Sequence, residues 1–93
     1  MIIEIKSEKD LEILEESLRN LLGASRMDVS VLKSMPYIKF RLQCLKKKPI
    51  QNDSIYFANE NVWIKVLTID PIVVYCGLKE LYNDDIKFGE ESN

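Results

Sequence analysis

The stretch VWIKVLTIDPIVVYCGLKELY, residues 62 to 82, holds the densest apolar run of the chain and decides how the rest is read. Val62, Ile64 and Val66 alternate with Trp63, Lys65 and Leu67, the two-residue period of a strand with one buried face. Asp70-Pro71 interrupts that period, because proline has no N–H to give to a ladder. The same dipeptide suits a helix start, with Asp70 as N-cap and Pro71 in the first turn. Val74, Leu78 and Leu81 then recur at helical spacing, flanked by Tyr75 and Tyr82. The spacing predicts a strand feeding a helix that folds back onto the sheet. The competing reading makes Ile72 to Cys76 another strand, since β-branched residues are stiff in helices and favoured in sheets.

Outward from there, Ile3 and Ile5 alternate with Glu4 and Lys6, a short strand over residues 2–6. Ser7 can cap a helix whose first turn holds Glu8 and Asp10, and Leu11, Leu14, Leu18 and Leu21 give it one apolar stripe. Glu15 and Arg19 stand four apart in the favourable order, and Gly23 sits where a left-handed C-cap is wanted. Met27, Val29 and Val31 give a weaker strand, broken by Ser34-Met35-Pro36. Ile38, Phe40, Leu42 and Cys44 then alternate with Tyr37, Lys39, Arg41 and Gln43, which predicts a further strand closed by Lys46-Lys47-Lys48-Pro49. Residues 54–68 read as a hairpin turning at Asn59-Glu60-Asn61, and Ile86-Lys87-Phe88 as an optional edge strand. The order β-α-β-β-β-β-α predicts an α+β two-layer sandwich, ferredoxin-like or related, with a mostly antiparallel sheet and both helices on one face. Residues 1–89 form one domain in this reading, and 90–93 a frayed acidic end.

Composition narrows the chemistry. Apolar residues at 46% and charged residues at 30% suit a soluble globular domain, with no apolar run near the roughly 20 residues of a membrane span. The opening MIIEIK has no basic leader before a long apolar segment, so a cytoplasmic location is expected. The chain has no histidine, and Cys44 and Cys76 stand apart, so neither a zinc or iron–sulfur site nor a Ser/Cys–His nucleophile pair is expected. Gly23, Gly77 and Gly89 are too dispersed for a phosphate loop, and the doublets Glu15-Glu16, Asp84-Asp85 and Glu90-Glu91 cannot converge on a substrate as sequence neighbours. No enzyme, cofactor or metal is predicted. Both cysteines fall on apolar faces and read as small buried hydrophobes, with a disulfide open to them only if the fold brings them together.

Charge is segregated. Residues 1–25 carry three positive and six negative groups, residues 26–65 eight and three, residues 66–93 two and six. Solvated outer faces explain such runs in most proteins, but an electropositive patch for a polyanion is the sharper alternative. On that alternative, Lys39, Arg41, Lys65 and the loop Lys46, Lys47 and Lys48 would hold RNA phosphates while Tyr37 and Trp63 stack on bases. Trp63, Leu67 and Ile69 equally suggest a sheet face covered by protein, in a homodimer or a heteromeric complex.

Two stretches, IIEIKSEKDLEILEESLRNLL and NVWIKVLTIDPIVVYCGLKELY, together resemble the small dimerisation subunit of the KEOPS complex, in which an opening strand and helix are followed by a strand running through an acidic residue into a helix. Residues 24–61 are longer than that family's connecting strand, and the closing helix lacks the family's polar asparagine. The resemblance implies a non-catalytic subunit that pairs through its sheet and supports a tRNA-modifying enzyme. The leading expectation is thus an interaction or dimerisation subunit of a larger, RNA-handling complex. The alternative is a stand-alone nucleic-acid-binding regulator using the basic and aromatic sheet face.

Overall fold

In the computed structural model of the chain, Pro71 lies between two strands and not at the head of a helix. The described residues, 1–23, 30–57 and 62–83, form β1 (Ile2–Glu4), α1 (Glu8–Leu22), a 3-10 helix (Ser30–Lys33), α2 (Met35–Leu45), β2 (Ser54–Phe57), β3 (Val62–Ile69), β4 (Ile72–Leu78) and a second 3-10 helix (Lys79–Leu81). The four strands make one antiparallel sheet in the order β1-β4-β3-β2. The expected α+β class, with an antiparallel sheet under two helices, therefore holds, while the expected element order is corrected to β-α-α-β-β-β.

The first correction is at β4. Ile69 pairs with Ile72, so Asp70 and Pro71, joined by a cis peptide bond, are the two turn residues of a hairpin. There the missing proline N–H costs nothing, and the Thr68 hydroxyl donates to the Pro71 carbonyl at 2.6 Å. β4 is central, paired with β1 on one side and β3 on the other, and Val74, Tyr75, Cys76 and Gly77 are all buried. A strand covered on both faces shows no alternation, and its apolar run imitates a helix.

The second correction is at α2, which replaces the strand expected over residues 37–44. Ser34 occupies the N-cap, Pro36 lies in the first turn, and Tyr37, Phe40 and Cys44 at spacings of three and four turn into the core. Except for Ile38 this segment holds no β-branched residue, and Leu, Lys, Arg and Gln are good helix formers. Val31, expected in a strand, belongs to the first 3-10 helix. Met27 to Val29, the turn at 59–61, the strand at 86–88 and the tail at 90–93 lie outside the described residues.

α1 follows the sequence reading except at Leu21, expected on the inward stripe but exposed. The Asp10 carboxylate reaches back to accept the N–H groups of Lys6 at 2.7 Å and Ser7 at 3.2 Å, and Gly23 ends the helix at a φ of 62°. Leu11, Leu14 and Leu18 of α1 meet Tyr37, Phe40 and Cys44 of α2 over the inner sheet face of Val62, Ile64, Val66, Val74 and Cys76. β1 closes the far edge, where the Met1 ammonium donates to the Cys76 carbonyl at 2.8 Å and the Ile5 N–H to the Ile72 carbonyl at 2.8 Å.

Leu14 is fully buried at the centre of this core, whereas Leu78 ends β4 and only packs against it. Leu14→Ala should cost about 2–5 kcal/mol in chemical denaturation and Leu78→Ala about 1 kcal/mol. Equal losses would contradict this layering.

Candidate interaction surface

The seam between the helices is polar at one point. Glu15 on α1, its side chain 16% exposed, accepts the Tyr37 hydroxyl at 2.8 Å and Arg41 Nε at 3.0 Å. Arg41 Nη2 extends the network to Glu8 at 2.8 Å. The expected Glu15–Arg19 pair is replaced by Arg19 with Glu16 at 3.0 Å. This network spends Tyr37 and Arg41 inside the fold, so neither stands on the sheet face expected of them.

With Tyr37, Phe40 and Cys44 turned into the core, the opposite side of α2 should be polar, and it is not. Met35, Ile38, Leu42 and Leu45 follow one another at spacings of three, four and three, and are 73%, 38%, 50% and 41% exposed. They form a second apolar stripe along the helix. An open groove of about 710 Å³ runs beside it, between α2 and the start of β2, with Ile55 on the strand side and Lys39 and Lys46 on the helix side. Among the described residues β2 is an edge strand of the sheet, and no further strand covers that flank.

The face of the sheet away from the helices carries an aromatic cluster. The Tyr75 hydroxyl donates to the Leu78 carbonyl at 3.0 Å, so its ring lies over Gly77, where an added Cβ would meet Tyr75 Oη at 2.6 Å. Tyr82 folds back onto Tyr75 at a centroid distance of 5.0 Å and onto Trp63 at 4.8 Å. Lys65 Nζ stands 5.3 Å from the Trp63 ring and 5.2 Å from that of Tyr82, and Lys79 Nζ stands 4.7 Å from Tyr56.

Of the expected RNA-contacting residues, only Trp63 and Lys65 share this face. Lys39 is exposed on α2, and Lys46, Lys47 and Lys48 stand at its C-terminal end, where cations complement the helix dipole. Lys48 N–H bonds to the Gln43 carbonyl at 2.8 Å and Lys47 N–H to Cys44 at 3.0 Å, with Lys47 at a φ of 57°, a Schellman close. The expected partner patch is divided as well. A shift of register between Val66 and Thr68 leaves Leu67 half-buried at a bulge, and Ile69, paired with the core residue Ile72, turns to the helix side beside Ile5 and Pro49. The stripe on α2 escaped the sequence reading because its spacing carries meaning only on a helix.

No family model, curated protein or solved structure matches the chain. The strand-to-helix unit that carried the KEOPS resemblance is a β-hairpin. Among the described residues no three His, Cys, Asp or Glu side chains gather where they could hold a metal, and no helix is long and apolar enough to cross a membrane.

Both cysteines are free and buried, and burial pushes each thiol up to about 11. Burial and then the hydrogen bond to Glu15 hold the Tyr37 phenol far above the usual tyrosine range. All three are acids that keep their proton longer when folded, so their contribution is complete below the unfolded values of 9.0 and 10.0 and is lost as the pH rises beyond them. In an alkaline titration Tyr37 should ionise only together with unfolding. Tyr37→Phe should shrink that late step in phenolate absorbance by one tyrosine, and a reversible Tyr37 ionisation in folded protein would contradict the geometry.

Proposed function

We propose that the chain is a non-catalytic protein-interaction module whose docking face is the outward stripe of α2, placing it as a subunit of a larger assembly. The observation that carries this reading is a helix apolar on two opposite sides while only one side packs on the core. Exposed apolar side chains scattered singly are ordinary on protein surfaces, but four in a row at helical spacing along a groove form the contiguous patch that marks interaction sites. Folding does not require them: Leu42→Gln should change stability by no more than about 0.5 kcal/mol.

A photoreactive residue at position 42, introduced into the chain in the cells that make it, should yield a discrete protein adduct. The same residue at position 12, on the exposed acidic side of α1, should yield none. No adduct from position 42, or the same adducts from both positions, would overturn the reading.

The clustering of Lys65 with Trp63 and Tyr82, and of Lys79 with Tyr56, favours a second reading in which the outer sheet face binds single-stranded nucleic acid. Oligouridine should then bind at low salt, and Lys65→Ala should shallow the log-affinity against log-salt slope by roughly 0.7. Lack of binding at low salt would remove this reading.

A further inference from the structure

We infer that the partner presents an amphipathic helix with an acidic flank, laid along α2 beside the edge of β2. The inference rests on the docking-face reading above and adds the chemistry of the occupant. Met35 to Leu45 spans three helical turns, roughly 15 Å, and its spacings of three, four and three are those of an a/d seam. Such a seam is matched by another helix with apolar residues at i, i+3 or i+4, and i+7.

Charge selects which helix. Lys39 and Lys46 stand seven residues apart on the groove side of the stripe, about 10 Å along the axis, and neither makes an ion pair among the described residues. The other flank offers no free cation among the described residues, since Arg41 is held between Glu8 and Glu15. Asp53 is the one carboxylate lining the groove among the described residues, and its Oδ1 accepts the Ser54 N–H at 3.0 Å. A helix bringing carboxylates at a seven-residue interval would meet both lysines at once.

A second copy of this chain fits less well. Pairing two α2 stripes antiparallel would set the Lys39 and Lys46 flank against its own counterpart, a like-charge contact that disfavours association. Four partly exposed side chains also offer about half of the 800 Å² or so that each partner of a stable dimer contributes. That area suits a single docked helix.

The test uses three labelled helical peptides of about three heptads, each with leucine at the seam positions and differing only in the flanks, which carry Glu, Gln or Lys. Titrated with the full chain at about 0.15 M salt, the Glu peptide should bind at least about tenfold more tightly than the Gln peptide, and the Lys peptide weakest. The double variant Lys39→Glu/Lys46→Glu should invert that order, and Leu42→Asp, with its circular dichroism unchanged, should abolish binding. Equal affinity for the Glu and Gln peptides overturns the acidic partner and leaves α2 as a docking face. Binding that survives Leu42→Asp, or no binding by any peptide, overturns the helical occupant, while crosslinking from position 42 judges the docking face by itself.

Discussion

The fold turns on the Glu15 carboxylate. It is largely withdrawn from water and takes hydrogen bonds from two residues of another helix, the Tyr37 hydroxyl and the Arg41 guanidinium. Bonds to an ionised partner contribute about 1.5–3 kcal/mol each, and Tyr37, being buried, would have its hydroxyl stranded without an acceptor. The pair of bonds also fixes the rotation of α2 about its axis. With Tyr37 and Arg41 turned toward α1, Phe40 and Cys44 face the sheet, and Met35, Ile38, Leu42 and Leu45 have nowhere to point but outward.

The same contact explains much of the charge segregation. The acidic first quarter of the chain and its basic middle are partners within one molecule, since Glu8 and Glu15 of α1 hold Arg41 of α2. Lys47 and Lys48 close the end of α2, where their backbone N–H groups bond the Cys44 and Gln43 carbonyls and their positive charge complements the helix dipole. Among the described residues of the basic middle this leaves Lys33 ahead of α2, Lys39 and Lys46 on one flank of the apolar stripe, and Lys65 on the far face of the sheet, where Lys79 of the following segment joins it. The two clusters lie on opposite layers, so no single polyanion groove unites them.

How much could be read from the residues depended on whether one period fitted them alone. α1 was legible because its leucines satisfy only the helical spacing and Gly23 marks its end; β3 was legible because Val62, Ile64 and Val66 satisfy only alternation. Residues 37–44 satisfy both, being apolar at every second position and also at Tyr37, Phe40 and Cys44, so Pro36 in the first turn was the decisive cue and was read as a breaker. β4 has no period at all, because neighbours cover both of its faces. Within the candidate sites, the pairing of Trp63 with Lys65 followed from strand alternation. Tyr82's part in that cluster did not, since it depends on the chain doubling back after β4.

Trp63 is the chain's single tryptophan, and it lies beneath Tyr82 on the face that the helices do not touch. Its fluorescence is therefore a gauge of how the segment after β4 sits on the sheet, and not of the leucine core on the other side. Emission and far-ultraviolet circular dichroism will trace one unfolding curve only where both layers melt together; a ligand that lifts Tyr82 would change the emission while leaving the helices whole.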